Sequence, residues 1–309
     1  MGVNYGPFHK DGQSPEFYTY IPPEQIRADL NLISGANFKF VKTYAVDNGL
    51  DQVVPLAAAH YPHLKICVGV YESSVNHEDP HAPHSTKAQL NQAIQLANSY
   101  PNVAAIVVGN ECLYGDSQAG DHWVSVAQLM ADLEYVRKNL TEARRAQVVL
   151  TTGLSWGAAH GNQDENGHPI NDQLKTCGNI DVWMINIYPW YAGIACREAD
   201  IYANLDWNYQ EFNHIYGATG KPIIIGEIGW PSDGPPQGAA VASVDNEHHH
   251  TCWCSAWCAE KNWSAFLFEM FDEPWKSEPN GPYWGLYDKY GSPKWTQGLA
   301  HIYHLILGD

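Results

Sequence analysis

The segment Lys221-Pro-Ile-Ile-Ile-Gly-Glu-Ile-Gly-Trp-Pro-Ser-Asp-Gly234 decides how the rest of the chain is interpreted. Its three consecutive isoleucines are typical of a strand that is buried on both faces, as in a parallel sheet. The run ends in Gly226-Glu227, so a carboxylate stands where a buried strand reaches solvent. Gly226 and Gly229 leave room for a ligand to approach the backbone. Taken alone, the pattern fits an incidental solvated glutamate as well as a functional one.

A second apolar run ends in a similar way. The segment Val103-Ala-Ala-Ile-Val-Val-Gly109 is followed directly by Asn110-Glu111. Each of two predicted strands of one sheet therefore ends in a glycine that is followed at once, or after one residue, by a glutamate. Cleavage of a glycosidic bond needs such a pair, because one carboxyl group protonates the leaving oxygen and the other stabilises or attacks the developing oxocarbenium ion.

Segments with strand character alternate with segments of helical periodicity along the whole chain. The predicted strands are 2–6, 38–44, 64–71, 103–111, 147–152, 180–188, 223–226 and 263–271. The predicted helices are 22–35, 51–60, 85–97, 126–140, 198–216, 246–261 and 296–307, with a Gly/Asn-rich loop over 157–169. Eight such units predict an α/β fold, a closed (β/α)8 TIM barrel that forms a single catalytic domain over residues 1–309.

An open doubly wound sheet is the alternative fold. That fold would require a glycine-rich phosphate turn after the first strand, and residues 2–7 do not have the Gly-x-Gly-x-x-Gly pattern. In TIM barrels the catalytic side chains lie at the C-terminal ends of the strands. Polar side chains cluster at these predicted ends and not at the opposite ends: Asn4, Tyr5, Tyr44, Asp47, Tyr71, Glu72, Asn110, Glu111, Asn186, Tyr188, Glu227 and 269–273.

Composition limits the class of partner. The net charge of −17 argues against nucleic acid or an anionic membrane and suits a neutral or cationic substrate, unless it only maintains solubility. The chain has no run of 18 uncharged apolar residues, so a membrane-spanning helix is not expected. The twelve Trp and eighteen Tyr fit stacking on sugar rings, although core packing is the commoner use of each.

The seven cysteines are an odd number, so at least one thiol is unpaired within the chain. Cys67 lies in an apolar strand and is expected to be a buried small hydrophobe. Cys177 and Cys196 flank one strand and are candidates for a disulfide. So are members of the group Cys252, Cys254 and Cys258.

The two motifs and their surroundings resemble glycoside hydrolase family 17. Val108-Gly-Asn-Glu111 resembles the acid/base motif of that family, and 226–232 with the loop after it resembles its nucleophile motif. The segments 268–276 and 284–287 are similar to its last strand and the part beyond. Within the family, the chain is most similar to the fungal branch of β-1,3-glucan-active enzymes, which includes β-1,3-glucanosyltransferases.

This resemblance implies a retaining double displacement, with Glu227 as the nucleophile and Glu111 as the general acid and later base. Retention predicts that the two carboxyl groups lie about 5–5.5 Å apart. By the same resemblance, Asn110 hydrogen-bonds the sugar 2-hydroxyl and Tyr188 orients the nucleophile. Further implied contacts at the substrate site come from Tyr44, near the −1 subsite, and from the pair Glu273 and Lys276.

Aromatic residues on the loops after strands five and six are candidate sugar platforms. These are Trp156, Trp190 and Tyr191, with core packing as the alternative for each. Such platforms would hold a glucan acceptor at the site and exclude water, and they would so favour transfer over hydrolysis. The expected partner is β-1,3-glucan or laminari-oligosaccharides, with no nucleic acid and no membrane. We expect a monomer in a secreted or cell-wall location, with a leader that is absent from this chain.

Metal and cofactor chemistry is not expected. Three consecutive histidines, 248–250, point in different directions on a helix and so cannot share one ion, although His248 and Cys252, or His250 and Cys254, do share a face. Gly153-Leu-Ser-Trp-Gly157 has the form of a nucleophile elbow, which the barrel context disfavours. The alternative functions are a plain endo-β-1,3-glucanase, a non-catalytic glucan-binding barrel and a metal-dependent barrel hydrolase.

Overall fold

Eight parallel strands close into a barrel in the computed structural model, which describes residues 1–16, 18–81 and 84–295. The strands pair in chain order, and the first pairs with the last. They are β1 Gly2–Asn4, β2 Phe40–Lys42, β3 Lys65–Val70, β4 Val103–Asn110, β5 Val149–Leu154, β6 Trp183–Asn186, β7 Ile223–Ile228 and β8 Ala265–Leu267. The predicted (β/α)8 barrel is confirmed, and the open doubly wound sheet is wrong.

Helices follow the strands and cover the outside of the barrel. They are α1 Pro23–Gly35, α2 Val53–His60, α3 Thr86–Ser99, α4 Val126–Asn139, α5 Glu142–Arg145, α6 Trp156–His160, α7 Ile170–Lys175, α8 Glu198–Tyr216 and α9 Val244–Lys261. Short 3₁₀ turns occur at Leu50–Gln52, Gly120–His122, Gly217–Thr219 and Gly281–Tyr283. The helix predicted over 296–307 lies outside the described residues.

The predicted loop over 157–169 is wrong at its start. Helix α6 occupies the first part of it, because Ser155 caps the helix by accepting a hydrogen bond from the backbone N–H of Ala158. Glycine and asparagine content had suggested a loop, but the serine cap decides the local structure. This short helix carries Trp156, and it determines what that side chain can contact.

The strands are irregular at the end of the barrel that carries the glutamates. The register of β4 with β5 shifts between Val107 and Asn110, and that of β6 with β7 shifts before Asn186 pairs with Glu227. Strand β7 continues to Ile228, so Glu227 lies within the strand and not after it. Bulges of this kind redirect side chains and are common next to active sites.

The barrel interior is filled by a small apolar cluster. Its buried members are Cys67, Ala105, Val107, Met184 and Phe266. These residues come from β3, β4, β6 and β8, which are not all neighbours, so they meet inside the barrel and not on its outer surface. Burial raises the pKa of the Cys67 thiol to about 12, in agreement with the expected buried hydrophobe.

The proposed disulfides are wrong, because all seven thiols are free. Sγ of Cys196 points to helix α9, where it donates to the carbonyl of Asn246 at 3.4 Å, while Cys177 is buried elsewhere in the core. The three other candidates all lie on α9, and there Sγ of Cys254 contacts Nε2 of His250 at 3.3 Å. Among the described helices, none combines the length and the apolar character needed to cross a membrane.

Candidate active site

Glu111 follows β4 directly, at a point where the backbone adopts a left-handed conformation. Gly109 has a φ of +72° and Glu111 has a φ of +49°. A Cβ atom on Gly109 would lie 2.4 Å from Sγ of Cys112, so only glycine fits there. The backbone N–H of Glu111 donates to the carbonyl of Gly153 at 2.9 Å, which fixes the turn. Strained backbone of this kind is concentrated at functional sites.

The side chain of Glu111 is held in the environment of a proton donor. Nδ2 of Asn186 donates to its Oε1 at 2.7 Å. Burial, and then the charge of Glu227, raises the pKa of Glu111 to about 8, while the hydrogen bond from Asn186 opposes the shift. The carboxyl group therefore carries a proton at neutral and acid pH, which is the state that a general acid requires.

The carboxylate of Glu227 is in a different environment. It is 4% exposed, and its Oε1 accepts from Nζ of Lys42 at 3.0 Å and from the hydroxyl of Tyr44 at 2.9 Å. Its Oε2 accepts from the hydroxyl of Tyr188 at 2.6 Å. One cation and two hydroxyl donors stabilise a negative charge on this carboxylate. The two glutamates are thus suited to opposite roles, one as an acid and one as an anion.

Lys42 is the functional side chain that sequence reasoning missed. Its side chain is fully buried, and its Nζ lies 3.0 Å from Oδ1 of Asn110 as well as 3.0 Å from Glu227. It therefore connects the residue before the predicted acid to the predicted nucleophile. A signal was available, because residues two apart in a strand share a face and Tyr44 was already assigned to the site.

Two asparagines at strand ends complete the frame. Asn186 binds Glu111 through its side chain, as described above, while its backbone pairs with Glu227. Asn4 is fully buried, and its Nδ2 donates to the carbonyl of Gly226 and to that of Leu267, both at 3.2 Å. Asn4 thereby ties β1 to the two strands that precede it in the closed barrel. Both asparagines had been noted as polar strand-end residues without a specific role.

The expected pair of Glu273 and Lys276 is present and includes a third member. Nζ of Lys276 lies 2.5 Å from Oε1 of Glu269 and 2.9 Å from Oε2 of Glu273. Burial first, and then the charge of Glu273, raises the pKa of Glu269 well above its usual value. The ammonium of Lys276 stands 4.7 Å from the ring centre of Phe268, which packs edge-on against Tyr188 at 5.7 Å. The cluster thus adjoins the wall that holds Glu227.

Tyr191 is placed as a sugar platform would be. Its side chain is 62% exposed, and its ring contacts Tyr188 edge-on at 5.4 Å and Trp284 at 5.9 Å. Burial, and then the charge of Glu111, raises the pKa of its hydroxyl. An exposed aromatic ring therefore packs against Tyr188, which donates to Glu227, and its contact with substrate remains a prediction.

Trp190 is not a platform, and that prediction is wrong. Its ring is 2% exposed and packs edge-on against Trp230 at 5.1 Å and Trp284 at 6.2 Å, so neither face is open to a sugar. Core packing, the alternative use, applies here.

Trp156 is 39% exposed but belongs to a different surface. Its ring stacks on His160 at 4.3 Å, and its Nε1 donates to Oδ1 of Asn208 on helix α8 at 2.9 Å. The structure does not bring it into contact with either glutamate among the described residues. Its contact with substrate remains a prediction.

The consecutive histidines on α9 do not converge on one point. His250 is fully buried against Trp230, and burial lowers its pKa to about 3. His249 is exposed and stacks on Trp253 at 5.2 Å. The two rings therefore point in different directions from the helix, as the sequence predicts, and they cannot bind the same ion.

A closed (β/α)8 barrel with two glutamates of opposite character at the C-terminal ends of β4 and β7 defines a glycoside hydrolase. The family comparison agrees with this class. The model of the BtgE/BtgC glycoside hydrolase domain matches residues 2–285. The chain belongs to that family, and the resemblance to the fungal branch of glycoside hydrolase family 17 is confirmed.

Relatives with curated names are fungal proteins of about one-quarter identity. The glucan 1,3-beta-glucosidase BGL2 of Candida albicans is 25% identical over 305 residues, which are 96% of this chain and 91% of that protein. The cell surface mannoprotein MP65 of the same species is 26% identical over 93% of this chain and 66% of its own length. The probable glucan endo-1,3-beta-glucosidase btgC of Aspergillus flavus is 26% identical, and the chain spans only 41% of it.

Solved structures share the fold. The family 17 beta-1,3-glucanosyltransferase from Rhizomucor miehei has a TM-score of 0.68 at 21% identity and covers 94% of both chains. An endo-laminarinase from Formosa has a TM-score of 0.74 at 18% identity, over 94% of this chain and 83% of the other.

Proposed function

We propose that this chain is a retaining β-1,3-glucan-active enzyme that cleaves internal β-1,3 linkages through a covalent glycosyl-enzyme intermediate. It transfers the glucanosyl unit to another β-1,3-glucan, and hydrolysis is the competing outcome. The observation that carries the proposal is the contrast between a buried Glu111, whose pKa is raised to about 8 by burial and then by the charge of Glu227, and a Glu227 held by three donors. The glucan specificity is supported by the names of the relatives.

In the first step, an oxygen of Glu227 attacks the anomeric carbon while Glu111 gives its proton to the leaving glycosidic oxygen. The C1–O bond to the leaving sugar breaks as the ester to Glu227 forms, and the leaving sugar departs as an alcohol. Lys42, Tyr44 and Tyr188 hold the attacking carboxylate in place. These donors fix its orientation before substrate arrives, so little reorganisation is needed.

In the second step, Glu111 acts as a base. Once Glu227 has become an ester, its negative charge is gone, and with it one of the causes that raise the pKa of Glu111. The pKa of Glu111 therefore falls in the intermediate, and its carboxylate is suited to remove a proton from an incoming hydroxyl. That hydroxyl attacks C1, the ester breaks and Glu227 is released as a carboxylate.

Neighbouring residues contact the sugar. Oδ1 of Asn110 accepts from Lys42, which leaves Nδ2 as the atom that can donate to the 2-hydroxyl of the sugar. Tyr191 offers an exposed ring beside Glu111 for a sugar at the acceptor side. The ion pair of Glu273 and Lys276 lies behind Phe268, whose ring packs against Tyr188.

The choice between transfer and hydrolysis depends on the acceptor. A sugar held against Tyr191 competes with water of about 55 M only if it is oriented for attack and if water is excluded. We propose that transfer dominates at high oligosaccharide concentration, with a plain endo-β-1,3-glucanase as the second candidate. The names of the relatives support both candidates, since they include a glucanosyltransferase and endo-glucosidases.

The test is a product profile on β-1,3, β-1,4 and β-1,6 oligosaccharides, with the anomeric configuration of the first product recorded by NMR. We expect products longer than the substrate from laminari-oligosaccharides alone, with the β configuration retained. Only shorter products at every concentration would leave a hydrolase, and an inverted first product would contradict the retaining mechanism. A secreted or cell-wall location is part of the proposal, and it is supported by the relative named a cell surface mannoprotein.

A further inference from the structure

Three side chains far apart in sequence converge beside the end of β3. Glu72 follows that strand, His77 lies in the segment before α3, and Asp132 is on α4. Nε2 of His77 lies 3.0 Å from Oδ2 of Asp132 and 3.5 Å from Oε2 of Glu72. One ligand atom from each residue lies within 4.8 Å of the others. The group stands behind β4, since a Cβ atom on Gly109 would be 2.9 Å from Cγ of Glu72.

The carboxylate of Glu72 has fewer partners than burial demands. Its side chain is fully buried, its close ionic contact among the described residues is Nε2 of His77 at 3.5 Å, and neither of its oxygens accepts a hydrogen bond of good geometry. A buried carboxylate that is poorly paired is unfavourable, and buried charges are therefore normally paired or bound to metal. The oxygens of Glu72 face the same small space as His77 and Asp132.

The outer contacts are those of metal ligands. Nδ1 of His77 lies 2.9 Å from Oε1 of Glu78, and Nε2 of Gln128 donates to Oδ2 of Asp132 at 3.1 Å. A ligating histidine almost always donates its second ring N–H to a carboxylate or carbonyl, which fixes the tautomer. The long hydrogen bond with Glu72 raises the pKa of His77 to about 9, so without a metal ion the ring holds a proton on Nε2; when that proton leaves, the lone pair of Nε2 faces two carboxylate oxygens. A cation between these three atoms removes that repulsion.

We propose that Glu72, His77 and Asp132 bind one divalent cation of the zinc class, with water in the remaining position. Two ligands of a tetrahedral Zn²⁺ ion at 2.0–2.1 Å stand about 3.3–3.4 Å apart, close to the 3.0 and 3.5 Å measured from Nε2 of His77. An imidazole with two carboxylates favours Zn²⁺ or Co²⁺ over the hard cations Mg²⁺ and Ca²⁺. The bound ion ties the end of β3 to α4.

Sequence reasoning missed this cluster because the spacing forms no short ligand motif. Glu72 and His77 are separated by only a few residues, but Asp132 lies 55 positions after His77. Such a set becomes visible only when the barrel brings β3 and α4 together.

The experiment uses the untagged full chain, stripped of metal and then dialysed against Zn²⁺ alone at micromolar concentration. Elemental analysis should find one Zn²⁺ per chain in the wild type and in the control Glu134→Gln, an exposed carboxylate two positions from Asp132. The variants Glu72→Gln and Asp132→Asn should lose at least about tenfold in affinity. Excess Mg²⁺ should not compete. Co²⁺ in place of Zn²⁺ at the same concentration should give the visible absorption of a tetrahedral site in the wild type and in Glu134→Gln, and not in Glu72→Gln or Asp132→Asn.

Two results would overturn the proposal. One is a wild-type chain that takes up no stoichiometric Zn²⁺, which would mean that a proton on His77 balances the carboxylates instead. The other is Zn²⁺ that is kept in Glu72→Gln and Asp132→Asn but lost in His249→Gln, which would place the ion on α9. The variant Glu78→Gln distinguishes a weakened metal site from loss of affinity through misfolding. Glu78 has a 67% exposed side chain, and its loss should weaken binding without changing the stoichiometry.

Discussion

The side-chain amide of Asn186 donates to Oε1 of Glu111 at 2.7 Å, while the backbone of Asn186 pairs in register with Glu227. One residue of β6 thus fixes the position of one glutamate through its side chain and lies beside the other in the sheet. Strand β5 lies between β6, which carries Asn186, and β4, which precedes Glu111. The side chain of Asn186 therefore reaches inward across the mouth of the barrel to Glu111. The two glutamates are therefore held by the same frame.

Replacing Glu227 by alanine should abolish turnover while leaving ligand binding intact. In the proposed mechanism this residue supplies the attacking oxygen, and loss of a nucleophile typically costs about 10⁴-fold or more in kcat. Turnover of laminari-oligosaccharides and binding of the same ligands by calorimetry would be measured side by side. Turnover within tenfold of the wild type would be incompatible with the assignment.

The activity should depend on a protonated Glu111. Since burial and the charge of Glu227 raise its pKa to about 8, kcat/KM should be constant at neutral pH and fall as the pH rises through 8. In Glu111→Gln, activity on natural glucans should drop by about 10²- to 10⁴-fold. The fall of kcat/KM at alkaline pH, the alkaline limb of the pH profile, should disappear. An unchanged alkaline limb in this variant would assign it to another group.

The same carboxyl group should make folding stability depend on pH. Its folded pKa of about 8 lies above the 4.5 of an ordinary glutamate, so the folded state retains a proton that the unfolded chain releases. This group therefore lowers stability progressively as the pH rises from about 4.5 to 8. Glu111→Gln should raise Tm more at pH 8 than at pH 4. The exposed control Glu165→Gln should show no such difference.

Replacing Lys42 by methionine should reduce kcat more than it changes KM. The substitution keeps the buried volume but removes the cation that bridges Asn110 and Glu227. A hydrogen bond to a charged group contributes about 1.5–3 kcal/mol, which corresponds to roughly 10- to 100-fold in rate. Lys39→Met, at an exposed position in the same segment, is the matched control. Equal losses in both variants would mean that the effect is structural.

Gly109→Ala should destabilise the chain by about 1–3 kcal/mol. The left-handed φ of +72° and the contact with Cys112 both oppose a side chain there. Gly35→Ala is the control, because a Cβ atom on this helical glycine would meet nothing within 4 Å. That change should be neutral or stabilising. Urea denaturation of both variants measures the difference, and equal stabilities would show that the turn at Gly109 tolerates a side chain.

The sequence predicts the barrel and its two glutamates because these depend on local patterns. Runs of β-branched residues specify buried strands, and a Gly-Glu or Gly-Asn-Glu end specifies the carboxylates. Lys42 escaped notice because a lysine in a strand usually reaches solvent, and only the closed barrel shows that its ammonium meets Glu227. The alternation of the strand puts Lys42 on the same face as Tyr44, but the carboxylate that its ammonium meets lies 185 positions away in sequence.

Aromatic residues mark the limit of such reasoning. Trp190 and Tyr191 are adjacent in sequence, yet one is 2% exposed and the other 62%. Which of the two faces solvent depends on Trp230 and Trp284, both of which pack from later segments. The assignment of residues 1–309 to a single domain also stays a prediction, since the described residues end at 295.

In the mechanism proposed above, the position of Lys42 has a consequence for the lifetime of the covalent intermediate. Before reaction, its buried ammonium faces the anion of Glu227 and is electrically balanced. When that anion is consumed in an ester, the ammonium is left with the amide of Asn110 as its neighbour, and a buried cation without a counter-ion is unfavourable. The unpaired ammonium therefore favours breakdown of the ester. Departure of the sugar restores the balance, whichever molecule accepts it, so the loaded state is inherently short-lived.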